Sequence, residues 1–359
     1  QREGLYPMSS HQERIWFMCQ YDDHANSSYN VPILLKLSGH INLEYLEASI
    51  NEIIRRHEAL RTSFLFDNGE LWQKVHTARP IQLKVHKTYE GVSFNLENEN
   101  IHECINMPFN LEEDPLVRAD AFCVKDDVYL LIVIHHIAVD GWSINLLLRE
   151  ILMIYDNMVM GEQKALPELR AQYVDYALWL EKWTKSNVYQ SHKEYWVNKF
   201  AGRKLESTLR LDYSRPQELT FHSSHYLVRI DKETLVRLKL WSIEREATVF
   251  VTLMAAFSAA VRDTIAQEHV AIGSPVANRM FTEFENTVGC FTNNIVVFPK
   301  LTGNESIDEL VSIYRDELFE AYERQEIPFD HIVDALNIER VSNIHPIFQV
   351  MFNYQNMDN

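Results

Sequence analysis

Hydrophobic positions change their spacing repeatedly along the chain, and each change marks an element. Leu46, Ile50, Ile53 and His57 fall three or four residues apart behind Asn42, a residue type that caps helices, and predict an amphipathic helix. The chain continues as Thr62-Ser63-Phe64-Leu65-Phe66-Asp67, and Asn68-Gly69 separates that run from Leu71-Trp72-Gln73-Lys74-Val75. An Asn-Gly pair between two such runs predicts a hairpin closed by a type I′ turn. Residues 128–134 are the most apolar, β-branched run and too short for a helix of their own, so they predict a strand buried on both faces. That strand ends in His135-His136. After Asp140-Gly141-Trp142, Ser143 is the expected cap of a helix whose Ile144, Leu147, Leu148, Ile151 and Tyr155 line one face.

Periodicity lapses over residues 161–167, and a helical bridge rich in Trp and Tyr is expected from there to about residue 186. Beyond it the pattern predicts strands at residues 226–230, 270–275, 291–298 and 347–354, and helices at 232–244, 247–261 and 306–325. Helix and strand signals alternate throughout without a tandem repeat, which points to an α/β class. The lapse divides the chain into expected halves at residues 1–170 and 171–359. Ending on an apolar strand, the chain is expected to be followed by more protein.

Composition narrows the function classes. With 46% hydrophobic residues, 24% charged residues and only 10 Gly and 11 Pro in 359, the chain builds a core rather than a disordered or low-complexity tail. A net charge of −17 argues against nucleic acid and anionic membrane as partners, so a phosphate-bearing partner would need a local basic patch. Cys19, Cys104, Cys123 and Cys290 are scattered without metal-ligand spacing; they read as reduced thiols of a cytoplasmic protein with no metal. The uncharged stretch at residues 247–261 is too short to span a bilayer, and the opening residues do not read as a signal peptide.

The chemistry concentrates at His135-His136-Ile137-Ala138-Val139-Asp140-Gly141. Consecutive strand side chains point to opposite faces, so one histidine faces the core while the other can face a cavity, and a two-histidine metal site is disfavoured. Asp140 is placed to neutralise a cation or orient an imidazole, and Gly141 lets a substrate approach the backbone. The arrangement suits acyl transfer to an amine or hydroxyl. A purely structural His-His-Asp turn is the competing reading, and the turn alone leaves the two even.

The turn resembles the HHxxxDG signature of non-ribosomal peptide synthetase condensation domains, in the chloramphenicol-acetyltransferase-like superfamily. Other segments follow in that family's order. Ser10-His11-Gln12-Glu13-Arg14-Ile15-Trp16 resembles SxAQxRLW, with His11 for Ala, and Arg56-His57-Glu58-Ala59-Leu60-Arg61-Thr62-Ser63-Phe64 matches RHExLRTxF. Tyr173-Val174-Asp175-Tyr176-Ala177-Leu178-Trp179 is similar to YxDFAVW. Val288-Gly289-Cys290-Phe291-Thr292-Asn293-Asn294 is similar to IGxFVNT, with Asn294 for Thr, and Arg324-Gln325-Glu326-Ile327-Pro328-Phe329-Asp330 to HQDVPFE. RDxSRNPLFQ survives at Arg340, Pro346, Phe348 and Gln349, while Val341, Asn343, Ile344 and His345 depart from it.

The resemblance implies an α+β sandwich of two acetyltransferase-like halves, a V-shaped pseudo-dimer with a tunnel between them, here lacking the family's last elements. It implies peptide-bond formation between thioesters carried on 4′-phosphopantetheine arms by donor and acceptor peptidyl carrier proteins. No cofactor would be bound permanently, an adenylation domain would neighbour it in a larger polypeptide, and the domain would be monomeric. His136 would act on the acceptor amine, as general base or as hydrogen-bonding orienter, with the Gly141 amide near the developing oxyanion. His135 and Asp140 would be structural, with Arg279 as the partner of Asp140. Ser143, Arg61 and Asn293 are possible tunnel or substrate contacts, although Arg61 equally suits a fold-stabilising ion pair, and Trp179, Trp183 and Trp196 suit packing at least as well as docking. The Arg56-to-Phe64 motif and the Ser10-to-Trp16 opening look most like members joining an L-donor to an L-acceptor, with a fatty-acyl or aryl starter type as the alternative. A catalytically silent recruitment module, an epimerisation domain and a stand-alone CoA-dependent acyltransferase are the rival functions.

Overall fold

The computed structural model describes residues 3–21, 23–87, 98–113, 115–124, 127–203, 209, 211–216, 223–265, 269–338 and 343–355. Arg340 and Val341 of the last motif lie outside the described residues. The chain forms two compact units, one of Gln1–Ser186 with Arg279–Phe291 and one of Asn187–Asn278 with Thr292–Asn359. The division follows Ser186 rather than residue 170, because the helix Tyr173–Trp183 turns Tyr173 and Tyr176 onto Phe291 of the first unit, with ring centroids 4.9 and 4.6 Å away.

Seven strands and six α-helices are described in the first unit: β1 (Gly4–Pro7), α1 (Ser10–Tyr21), α2 (Asp23–Ser28), β2 (Asn30–Ser38), α3 (Leu43–Arg56), β3 (Thr62–Asp67), β4 (Glu70–Val75), β5 (Lys84–Lys87), α4 (Glu99–Asn106), β6 (Val117–Val124), β7 (Asp127–His135), α5 (Gly141–Met160) and α6 (Tyr173–Trp183). Asn42 caps α3, its side chain accepting from the amides of Glu44 and Tyr45. Strands β3 and β4 pair from Thr62↔Val75 to Asp67↔Glu70, and Asn68 and Gly69 both take positive φ, as a type I′ turn requires. β1 adds to this hairpin in the order β1-β4-β3.

The second sheet of this unit, β2-β7-β6-β5, positions the site. β7 runs antiparallel to β2 from Asn30↔His135 to Ser38↔Asp127, and antiparallel to β6 on its other side; β5 joins parallel at the edge. Leu130 to Ile134 are all buried, as a continuous apolar run in a central strand should be. Ile50, Ile53 and Ile54 of α3 and Leu147 and Ile151 of α5 meet Ile33, Ile132 and Ile134 of the sheet, each buried side chain contributing ~1.5–3 kcal/mol.

The second unit contains α7 (Asn187–Phe200), α8 (Lys232–Ile243), α9 (Val249–Ile265), β8 (Ile272–Val276), β9 (Asn293–Val297), α10 (Ile307–Tyr322), α11 (Phe329–Ala335) and β10 (Val350–Met351). Its sheet has the order β10-β8-β9. Ser306 and Glu309 form a capping box at the start of α10. Two sequence expectations fail here. The terminal strand is only Val350–Met351, paired parallel with β8. Residues 226–230 form no strand, and Tyr226 and Leu227 are 93% and 78% exposed. Their β-branched and aromatic composition favours a pleated surface, but no strand among the described residues pairs with them, and pairing decides.

Candidate active site

β7 ends at His135, and the chain turns at once. The amide of Ala138 donates to His135 O at 3.0 Å, and that of Val139 to His136 O at 3.3 Å, while Ile137, Ala138 and Val139 bury their side chains and anchor the turn in the core. Asp140 is extended (φ −127°, ψ 179°) and is the N-cap of α5; its carboxylate accepts from the amide of Ser143 at 2.9 Å. The capping role expected of Ser143 thus belongs to Asp140. Ser143 sits inside the first turn, where its hydroxyl serves the network below.

The two histidines part as strand geometry predicts. His135 has no exposed surface, and its ring packs edge-on to Phe109 at 5.9 Å. Its Nδ1 accepts from the amide of Ile137 at 3.2 Å, so Nε2 carries the ring proton, and Cys19 Sγ lies 3.6 Å from that nitrogen. Burial, reinforced by neighbouring His136, pushes its pKa down to about 3, so the ring is neutral. His136 is half-buried. Its backbone amide donates to Tyr29 O at 2.8 Å, and the Tyr29 ring stands perpendicular to the imidazole at 6.4 Å. Its Nδ1 faces Cys290 Sγ at 3.8 Å.

Below the turn lies a buried ion pair. Arg279 donates from Nη1 to Asp140 Oδ2 at 2.8 Å and from Nη2 to Oδ1 at 3.0 Å, with only 3% of its side chain and none of the Asp140 side chain exposed. Asp140 also accepts from Ser143 Oγ at 2.8 Å and from the Phe291 amide at 3.1 Å, so the carboxylate is surrounded by donors. Ser143 Oγ accepts from Arg279 Nη2 at 3.0 Å and from the Gly289 amide at 3.1 Å. A Cβ on Gly289 would stand 1.9 Å from the Tyr173 ring, so this close approach requires glycine. These bonds tie Gly289 and Phe291 to the turn and set Cys290 between them.

Gly141 opens α5 and is exposed, and a Cβ built on it would meet nothing within 4 Å. Neither packing nor a positive φ demands glycine there; what it leaves open is space above the first amide of the helix. Trp142 beside it is 47% exposed, with its indole N–H donating to Glu285 O at 2.9 Å.

The remaining candidates lie elsewhere. Arg61 is buried, donates to His76 O and approaches Glu58 Oε1 at 3.7 Å. Asn293 is buried in the second unit, where its side chain bonds only backbone, at Gln325, Ile327 and Phe329. Trp196 is buried with its N–H on Arg324 O, and Trp179 stacks between Tyr176 and Trp183. Among the described residues no group of three or more His, Cys, Asp and Glu is placed to hold a metal.

Sequence reasoning missed three supports. Glu150 accepts from Arg56 Nε at 2.9 Å and contacts His57 Nε2 at 2.8 Å, a buried cluster in which desolvation lowers the His57 pKa despite Glu150. Tyr173 donates its hydroxyl proton to Cys290 O at 2.7 Å, with Ser9 Oγ 2.8 Å from that hydroxyl. The third is the Cys290 sulfur itself. The signal for all three was present, since each joins two of the recognised motifs or one motif to α5, but nothing in one sequence says which motif residues meet.

A family model described as the condensation domain matches residues 2–359. Malpinin synthetase of Mortierella alpina is 34% identical over 99% of this chain, and gramicidin S synthase 2 of Brevibacillus brevis is 32% identical over 99%. The chain spans only 5% and 8% of those two proteins. Among solved structures, the X-domain from teicoplanin biosynthesis superposes with a TM-score of 0.85 at 23% identity, covering 98% of this chain and 78% of that one. The first condensation domain of the CDA synthetase does so with a TM-score of 0.80 at 16% identity, covering 99% and 83%. At such identities the structural likeness is one of fold.

Proposed function

The chain belongs to the condensation-domain family of non-ribosomal peptide synthetases, and from that premise we propose that it forms an amide bond between two carrier-bound substrates. The amine of a carrier-bound aminoacyl acceptor attacks the thioester carbonyl of a carrier-bound acyl or peptidyl donor. A C–N bond forms, the C–S bond breaks, and the proton lost by the amine ends on the departing pantetheine thiolate. Donor and acceptor carrier proteins, each bearing a 4′-phosphopantetheine arm, are the partners, and an adenylation domain in the same polypeptide loads the acceptor.

The contrast between adjacent imidazoles carries this reading. His135 is sealed in the core and held neutral, whereas His136 is half-buried with Nδ1 on Cys290, leaving Nε2 to meet a reactant. His136 accepts a hydrogen bond from the attacking amine at Nε2 and passes the proton toward the leaving sulfur; an α-amine with a pKa near ~8 is partly neutral already, so orientation contributes beside basicity. Space over Gly141 brings the carbonyl oxygen to the N-terminus of α5, where the backbone amide stabilises the tetrahedral oxyanion. Asp140 and Arg279 hold the turn and do not touch the reactants.

Both carriers are loaded and the mass of the acceptor-bound product is read, with CoA-bound donor as a second arm. Wild type is expected to transfer the carrier-bound donor, and His136→Ala to slow transfer by about 10²–10⁴-fold, roughly 3–5 kcal/mol of barrier, without a change in melting temperature. Near-normal turnover of His136→Ala overturns the assignment. Absence of product from wild type favours a silent recruitment module, and preference for CoA favours a stand-alone transferase.

A further inference from the structure

Cys290 is a buried nucleophilic side chain beside His136, and the chemistry above passes neither a proton nor an acyl group through its sulfur. Its backbone is pinned on every side. The preceding residue is bound to Ser143 Oγ through its amide at 3.1 Å, the following amide donates to Asp140 Oδ2 at 3.1 Å, and the carbonyl of Cys290 itself accepts from Tyr173 at 2.7 Å. A sulfur fixed by three such bonds and only 1% exposed has little freedom to leave His136 Nδ1, 3.8 Å away. Resting on the role assigned to His136, we propose that Cys290 is a positioning residue that engages Nδ1 and so presents Nε2 to the attacking amine.

A thiol suits both states through which the ring passes. While the imidazole is neutral its one proton sits on Nδ1, which donates to the sulfur and leaves the Nε2 lone pair for the amine; once Nε2 has taken a proton, Nδ1–H goes on donating to the same sulfur. Burial pushes the Cys290 pKa up to about 12, so the thiol keeps its proton and a thiolate does not compete for the imidazolium. A hydroxyl oxygen can accept the same bond from Nδ1–H, whereas an alkyl group cannot. His135 offers the contrast: its Nδ1 is taken by a rigid backbone amide, which suits a ring that never changes charge.

The test combines the loaded-carrier assay with ring ¹⁵N shifts of His136 in histidine-labelled protein, assigned through the signal missing from His136→Gln. Cys290→Ala is expected to lower kcat about threefold to tenfold with KM for both carriers unchanged and to shift the His136 ring nitrogens, while Cys290→Ser keeps kcat within about twofold of wild type. If the alanine void prevents folding, Cys290→Val carries the same expectation. Unchanged kcat and unchanged ring shifts in the folded apolar variant overturn the proposal, as does a serine variant as slow as alanine with His136 shifts like wild type. An inactive His136→Ala beside a normal Cys290→Ala sinks this role alone; a normal His136→Ala sinks the catalytic assignment, and the ring shifts still decide whether Cys290 holds the imidazole.

Discussion

Two recognised motifs place a polar side chain at the end of a strand, and the two side chains are used in opposite ways. Leaving β7 in the first unit, His136 is half-buried and meets Cys290 through one ring nitrogen. Entering β9 in the second unit, Asn293 is buried and spent: its Nδ2 donates to Gln325 O at 2.7 Å and Ile327 O at 2.6 Å, and its Oδ1 accepts from the Phe329 amide at 3.1 Å. Those three bonds fasten the segment that leads into α11. A side chain whose donors and acceptors all end on backbone is a strut, and one with a nitrogen to spare can meet a substrate. Both belong to motifs of the same family, so membership of a motif does not tell the two apart; hydrogen-bond satisfaction does.

The hardest test of this division is the ion pair beneath the turn. Asp140→Ala strands the buried Arg279 guanidinium and is expected to cost ~3–5 kcal/mol of stability, read as a lower midpoint in urea unfolding. A variant that unfolds at the wild-type midpoint yet cannot transfer acyl groups would move Asp140 from scaffold to chemistry. Asn293→Ala leaves two carbonyls and an amide without their partner and should cost about 2–3 kcal/mol, with the turnover of the folded fraction unchanged. Loss of turnover at full stability would instead make Asn293 a substrate contact.

The smallest effect is proton-linked. Burial holds His135 at about 3 in the folded chain against an ordinary value near 6.5, so between those limits only the unfolded chain binds the proton. Stability therefore rises with pH across that window and falls by about 1.4 kcal/mol for each unit of acidification, roughly 2 kcal/mol by pH 5. His57, His76, His192 and His331 are also pushed down by burial and share the slope. His135→Gln should remove one histidine's part of it, measured as the difference between the two proteins' melting temperatures from pH 7 to pH 5. Identical slopes would mean that His135 is not the sealed ring described above.

What could be read in advance was local. Asn68-Gly69 announces its own turn because the backbone conformation is set by those two residues, and the apolar run of β7 announces a central strand because both of its faces must be dry. The opposite fates of His135 and His136 follow from adjacent positions at a strand end. Beyond the reach of local pattern lay the contacts between distant stretches: Cys290 on His136, Tyr173 on the Cys290 carbonyl, and Arg56 and His57 on Glu150. Residues 226–230 show the same limit from the other side, since their pattern suits a strand but a strand needs a neighbour. Ser143 suits a cap by residue type, but Asp140, three residues earlier, is as good a cap and takes the amide.

Because Arg279–Phe291 returns to the first unit after the chain has begun the second, that unit is not finished when Ser186 has been made. A nascent chain emerging from the ribosome would hold the Asp140 carboxylate ready for a guanidinium not yet synthesised. The His-His-Asp turn should therefore stay unlatched until residue 291 is out, and a gene fragment stopped at residue 186 should yield a polypeptide that chaperones hold or proteases remove.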